Sequence, residues 1–452
     1  MFSIDHSVNN GALHFMHFGN SKFLPSVVTS PKEELLAARS SAWLGAFLNI
    51  SPVYDVYGPD ADKLMNYVCV NRDFSKLKVS SSRHALLCNE KGQLLADGLV
   101  TRIDEQTLRT YWLAPAVSYY VDTLGMDVKG KWVYDEYFYQ IDGPKSLEIM
   151  EKATGSDLHE MKFAGKMDVK IAGTDMSIVR LGMSGCLAYE MHGALENADK
   201  AFAAILAAGE EFGIKRLGFA QYCRNHTQGG YPNQWIQFWY PSLTSGEKMA
   251  DYMKSDKLRD DMKNCSYANY LRTNYPFEGS ASDNVENAFV TPFDLDWDYL
   301  INWDHDFIGK ETLLKIKDNP PRKITTLEWN AEDVAAVVAS SFMGQDVEPA
   351  ADITSTGDGG ERPFVMSKVM LDGKVIGVAT GRTQDFYHRR MISLAYLERD
   401  KVVEGKDVVV IWGDADGRQM EIRAKIAAFP YYNEEYRNET FDVEKIPHPT
   451  VK

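Results

Sequence analysis

The chain has 452 residues, a formal net charge of -15 and 44% hydrophobic residues, with 21 Phe, 23 Tyr and 9 Trp. A single core stops growing near ~250–300 residues, so this length predicts at least two domains, and the aromatic content excludes a disordered chain. No Lys/Arg block supplies the continuous positive track that a phosphate backbone needs, which argues against DNA or RNA as a partner.

Met1 to Lys22 lack a basic head followed by a long apolar run, and no later segment approaches the ~20 apolar residues that cross a bilayer. No membrane association is expected. Cys69, Cys88, Cys186, Cys223 and Cys265 are scattered, with no CxxC pair and no zinc-finger spacing. They read as free thiols suited to a reducing cytoplasm.

In chain order, the amphipathic spacing of Pro31–Gly45 predicts a helix, with Pro31, Glu33 and Glu34 in its first turn. A strand is expected at Pro52–Tyr57 and a helix at Ala61–Val68, after the turn Gly58-Pro59-Asp60. His84–Val100 reads as two strands around a turn at Asn89-Glu90-Lys91-Gly92. Thr110–Leu113 is short and β-rich, and Pro115–Leu124 has helical spacing. A similar unit recurs: strand Tyr137–Ile141, turn Gly143-Pro144, helix Lys145–Ala153, strand Met176–Leu181 and the Ala-rich helix Asn197–Glu211. This mixture of hairpins and helices predicts an α+β fold rather than a doubly wound sheet. Neither GxGxxG nor GxxxxGK[ST] occurs in the required context, so no dinucleotide fold or P-loop is expected.

Asp318–Pro321 is a charged, Pro-rich break, and Pro349–Pro363 reads as an exposed loop. Lys374–Thr380, Met391–Leu397, Asp407–Trp412 and Gln419–Phe429 then read as strands, predicting a separate β domain from about Arg322.

Four places carry possible chemistry. Asp97, at the end of an apolar run and before Gly98, reads as an ordinary turn aspartate or as a carboxylate facing a cleft at a sheet edge. Glu190 follows the glycine-containing Gly182–Tyr189 stretch. It reads as a solvent-facing strand residue or as an acid held against a planar ligand, where a carboxylate accepts two parallel N–H bonds. Tyr222, Arg224, His226 and Gln228 alternate before Gly229 and Gly230, followed by Tyr231, Trp235, Phe238, Trp239 and Tyr240. That stretch reads as a loop lining an aromatic pocket with a proton donor, or as a loop covering the core. Asp304-His305-Asp306 lacks a remote ligand set, and no metal is expected.

Taken in order, Gly92…Ala96-Asp97-Gly98, Tyr139–Pro144, Gly182…Tyr189-Glu190, Ala207–Gly213, Asp304–Lys310, Ile376-Gly377…Gly381 and Ser393–Tyr396 resemble the glycine-cleavage T-protein (aminomethyltransferase) family. Within it, the chain is similar to the tetrahydrofolate-dependent O-demethylases of vanillate and 3-O-methylgallate. The resemblance implies a ring of two folate-binding α+β lobes over residues 1–321 and a C-terminal β-barrel-like domain over residues 322–452. It implies a cytoplasmic methyltransferase of one-carbon metabolism and aromatic catabolism, moving a methyl group from a methoxylated aromatic to N5 of tetrahydrofolate. Asp97 would lie beside the accepting nitrogen, Glu190 at the pterin's amino edge, and Tyr222 at the transferred methyl, with His226 as a second proton donor. Arg224, Trp235, Leu113 and Asn49 would face the substrate. Leu113 stands where vanillate-type enzymes carry a carboxylate-binding arginine, and Phe47, Asn49 and Ile50 fall where they carry polar residues. This departure points to a neutral or weakly charged methoxyarene, or to a carboxylate held by another arginine such as Arg72, Arg83 or Arg224, because an unpaired buried carboxylate costs several kcal/mol. A sulfonium or amine donor, and a folate-binding protein without catalysis, are the rival readings. The resemblance leaves the oligomeric state open.

Overall fold

The computed structural model describes residues 6–18, 22–46, 51–71, 73–234, 236–241, 248–262, 277–354, 364–433 and 436–449. Two antiparallel-rich sheets and a closed barrel form its frame. The first sheet runs in the order Ser82–Cys88, Leu94–Asp104, Thr107–Tyr111, Val53–Tyr57 and Lys129–Val133, with every neighbour antiparallel. The second runs Lys166–Ile171, Thr174–Val179, Ala188–Ala194, Glu136–Asp142, Trp43–Gly45 and Lys215–Arg216, and only its last pair is parallel.

Helix Ala61–Val68 forms as its spacing predicts, burying Ala61, Leu64, Met65 and Val68 on one face. The helix at Pro31 is shorter than expected. It opens with Ser30 accepting the Glu33 N–H and with Pro31 in the first turn, but it ends at Ser40. Ser41 leaves helical geometry there, and Trp43–Gly45 instead pairs with Gln140, Ile141 and Asp142. Apolar residues serve either element, and pairing in the second sheet decides the outcome.

A larger correction concerns residues 219–229. They are a helix, Phe219–Gly229, rather than a loop, closed by Gly230 at φ 73°. Nearly the whole helix is buried, polar Gln221, Asn225, His226 and Gln228 included, so the short apolar stripe of Phe219, Tyr222 and Cys223 is masked by the polar run after it. Gly229 packs so closely that a Cβ would sit 2.2 Å from the Met183 carbonyl oxygen.

The barrel closes in the order Arg322–Trp329, Arg390–Glu398, Lys374–Asp385, Ser367–Leu371, Asp407–Trp412 and Met420–Ala427. Sequence pattern anticipates four of these strands. Beyond the barrel the chain returns to the body. Arg437 donates to the Gly229 and Tyr432 carbonyls and pairs with Glu439, while Phe441, Val443 and Ile446 join the core of the second sheet. Among the described residues, no helix is long and apolar enough to cross a membrane.

Candidate functional site

The two sheets, helix Phe219–Gly229 and loops at residues 231–234 and 297–300 enclose a cavity of about 610 Å³. Its size lies in the usual range for small-molecule and cofactor sites. Asp97, Glu190, Tyr222 and His226 all line it, although they are far apart in sequence.

Asp97 sits opposite Leu86 in the hairpin, and Gly98 follows because a Cβ there would meet the Tyr111 carbonyl oxygen at 2.0 Å. The Tyr240 hydroxyl fixes the carboxylate: it donates to Asp97 Oδ1 at 2.8 Å and accepts the Asp97 N–H at 3.0 Å. Oδ2 is left toward His84, whose Nε2 is 3.6 Å away.

Glu190 comes from the middle of Ala188–Ala194, opposite Gln140, and is only 4% exposed. Burial pushes its carboxyl up to about 8, and the Asp142 carboxylate adds to the shift. Asp142 is fully buried, yet Met183 N–H, Ser184 N–H and Gln140 Nε2 all donate to it. Among the described residues, none donates a hydrogen bond to Glu190. Its acid group therefore faces the cavity with its hydrogen-bonding capacity unused, the condition under which a ligand's N–H groups bind strongly. That is the arrangement a pterin amino edge fits.

The helical geometry of Phe219–Gly229 separates the residues that alternate in sequence. Tyr222 and His226 are four apart and share the cavity face, their rings edge-to-face at 4.7 Å. Burial, followed by the charge of Glu190, holds the Tyr222 phenol well above its ordinary value, so it stays an O–H donor. His226 is different. Its Nδ1 donates to the Tyr231 carbonyl at 2.7 Å, Nε2 faces Asn233 Nδ2 at 3.2 Å, and burial pushes the ring down to about 4. A neutral imidazole whose only N–H is already given to a carbonyl has no proton to transfer near neutral pH.

Arg224 lies two residues from both Tyr222 and His226, on the far side of the helix and outside the cavity lining. Leu113 is also outside it. The preceding strand ends at Tyr111, Trp112 turns at φ 65° to line the cavity, and Leu113 is buried in the core. The inference drawn from Leu113 about a substrate carboxylate therefore loses its geometric basis. Trp235, Asn49 and Arg72 lie outside the described residues.

The cavity also holds His84, Lys166, Trp112, Trp297 and Tyr299, which sequence reasoning passed over, and Arg83, one of the arginines it offered for a substrate carboxylate. His84 left no local signal: the hairpin turn alone would put it on the face opposite Asp97, and the bulge at Leu87–Cys88 shifts the register so that it stands diagonally across from Asp97 on one face. The aromatic residues near 297–300 and the cation of Lys166 reach the cavity only through tertiary folding.

The GCVT N-terminal domain model matches residues 16–228. The chain is 38% identical to the sesamin methylene transferase of a Sinomonas species over 99% of this chain and 98% of that one. It is 26% identical to the syringate O-demethylase of a Sphingobium species, covering 83% of each. The aminomethyltransferase T structure from Bartonella henselae superposes with a TM-score of 0.65 at 16% identity, over 94% of this chain and 96% of that one, and so shares the fold.

Proposed function

Since this chain belongs to the aminomethyltransferase (glycine-cleavage T-protein) family, we propose that it is a tetrahydrofolate-dependent O-demethylase. It takes a one-carbon unit from a methoxylated aromatic compound and transfers it to a nitrogen of tetrahydrofolate. The observation that carries this reading is a single cavity lined by Asp97, Tyr222 and a buried Glu190 whose hydrogen-bonding capacity is unused.

In this reading Glu190 holds the amino edge of the pterin, and Asp97, oriented by Tyr240, faces the accepting nitrogen. Bound tetrahydrofolate supplies that nitrogen as the carbon acceptor. Tyr222 donates a hydrogen bond to the ether oxygen as charge builds on it, which stabilises the leaving phenolate. Trp112, Phe138 and Trp297 make part of the wall apolar and limit access of water to the reacting carbon.

A second reading rests on the 38% identity to a methylene transferase. The donor carbon would then be a methylene held between two aryl oxygens, and two C–O bonds would break rather than one. Both donors use the same cavity and the same acceptor. The purified protein should be incubated with tetrahydrofolate and either a methoxyarene or a methylenedioxyarene. Mass spectrometry then separates methyltetrahydrofolate from methylenetetrahydrofolate, which differ by about two mass units from the two hydrogens. Product from the first donor alone supports demethylation, product from the second alone supports methylene transfer, and no product from either rejects the proposal.

A further inference from the structure

We propose that His84 and Asp97 form a proton-handling pair on the cavity wall, in which His84 takes up the proton released at the accepting nitrogen. The inference rests on the folate-dependent reading above and adds a residue to it. His84 Nε2 is 3.6 Å from Asp97 Oδ2, while Tyr240 occupies Oδ1. The imidazole lines the cavity, a third exposed, and lies edge-on to Trp297 with centroids 5.1 Å apart. Asp97 stands at ion-pair rather than hydrogen-bond distance, and no described residue hydrogen-bonds either ring nitrogen. One nitrogen thus faces the carboxylate, and nothing described occupies the other.

The reaction requires such a group. When a carbon passes from an ether oxygen to an amine nitrogen, the C–O bond breaks with its electron pair on oxygen. The C–N bond forms with the nitrogen's lone pair. The N–H proton is then surplus and the oxygen lacks one, so the transfer balances when a group beside the nitrogen accepts a proton and returns it to the phenolate. A carboxylate is a weaker base than an imidazole, so of the two side chains His84 is the better proton acceptor, and it stands 3.6 Å from Asp97.

The other ionisable groups on the wall do not match this role. Arg83 and Lys166 are cationic, Tyr222 is held well above its ordinary value, and His226 is pushed down to about 4. Glu190 stands on the opposite sheet. His84 acts here through Asp97, as the base that receives the proton.

The pairing is tested without turnover by NMR of histidine-labelled protein, with His84→Gln used to assign the ring signals. Asp97→Asn should shift the His84 ring-nitrogen signals, since the carboxylate facing Nε2 is replaced by a neutral amide. Unmoved ring signals overturn the pairing. In the kinetic arm, His84→Gln should lower kcat about 100-fold and leave tetrahydrofolate affinity within about threefold. Added imidazole should restore part of the rate of His84→Ala. Wild-type turnover in His84→Gln, or equal losses of kcat and folate affinity, overturns the role. Failure of the wild-type protein to bind tetrahydrofolate instead overturns the functional proposal, and the NMR arm still reads the pair.

Discussion

Glu190 and Asp142 stand two register positions apart on antiparallel strands, with both carboxyls on the same face of the second sheet. Asp142 receives two backbone N–H groups and the Gln140 amide, whereas the described residues give Glu190 no donor. Burial raises both carboxyls, Asp142 to about 7 and Glu190 to about 8, and each charge opposes the other. The sheet thus stabilises one acid internally and leaves its neighbour to a ligand.

Tetrahydrofolate binding should therefore release about one proton near neutral pH, because a ligand with N–H donors favours the ionised carboxylate. Calorimetry in buffers of different ionisation enthalpy reads this directly. Affinity should rise with pH up to about 8, since the free acid must lose its proton to pair. Glu190→Gln should abolish the proton release and weaken binding roughly 10-fold or more, the scale of one charge-assisted hydrogen bond. The stability of the ligand-free protein should respond with the opposite sign. A raised native value means full stability below the unfolded value of 4.5 and a decline as pH rises toward about 8. In denaturant titrations Glu190→Gln should flatten that decline.

Tyr222→Phe should lower kcat about 100-fold or more and change tetrahydrofolate affinity less than twofold, because the lost hydroxyl serves the leaving oxygen. Single-turnover kinetics with calorimetry on the same protein checks the split. A collapse of folate affinity with an unchanged kcat would place the hydroxyl at the pterin instead.

His226 should control acid stability rather than the catalytic proton. Its native value is depressed to about 4 by burial, so its contribution is present above the ordinary value of 6.5 and is lost as pH falls toward 4. The shift corresponds to about 3 kcal/mol across that window. Replacement by Asn should flatten the loss between these pH values in urea titrations. The neutral-pH limb of the rate profile should keep its position in the same variant.

The sequence carried the α+β class, most strands of the first hairpin unit and four barrel strands, because period-two runs and turn residues are local signals. Helix Phe219–Gly229 was missed for a physical reason: its apolar stripe, Phe219, Tyr222 and Cys223, is confined to the first turns, and the polar residues that follow are buried as well. The loop reading kept Tyr222 and His226 together but wrongly grouped Arg224 with them. Asp97 and Glu190 stood out through their glycine-containing surroundings, which mark close packing. His84 needed the hairpin register, and Trp297 and Lys166 needed the assembled cavity.

Arg437 ties the C-terminal segment to this cavity. It is buried, donates to the Gly229 and Tyr432 carbonyls, pairs with Glu439 and lies over the Tyr231 ring at 5.0 Å. Tyr231 in turn donates to Glu439 and holds His226 through its carbonyl. Arg437→Ala should destabilise the protein by about 3–5 kcal/mol, since it strips the Gly229 and Tyr432 carbonyls of this donor and leaves Glu439 with Tyr231 but without its cation. Thermal unfolding measures the loss, and Arg437→Lys should recover only part of it because one ammonium cannot reproduce the planar fork.

The last prediction concerns the charge of the aromatic donor. A carboxylated donor gains from a cavity only when a cation there is free to pair with it. Leu113 cannot serve and is not on the wall. Lys166 is on the wall, but its ammonium pairs with Asp168 at 2.5 Å, and Arg83 gives one N–H to the Asp73 carbonyl at 3.1 Å. Both cations are thus already engaged, while Asp97 and Glu190 bring acidic groups to the same space. Desolvating a donor carboxylate there costs more than these occupied partners return. Guaiacol should therefore have a kcat/KM at least equal to that of vanillate, which differs from it by the carboxylate alone. Asp168→Asn, which frees the Lys166 ammonium, should shift the ratio toward vanillate by about threefold or more, the scale of a partly exposed ion pair. A strong preference of the wild-type protein for vanillate would show that Arg83 or Lys166 releases its partner to bind substrate, and would reject the neutral-donor reading.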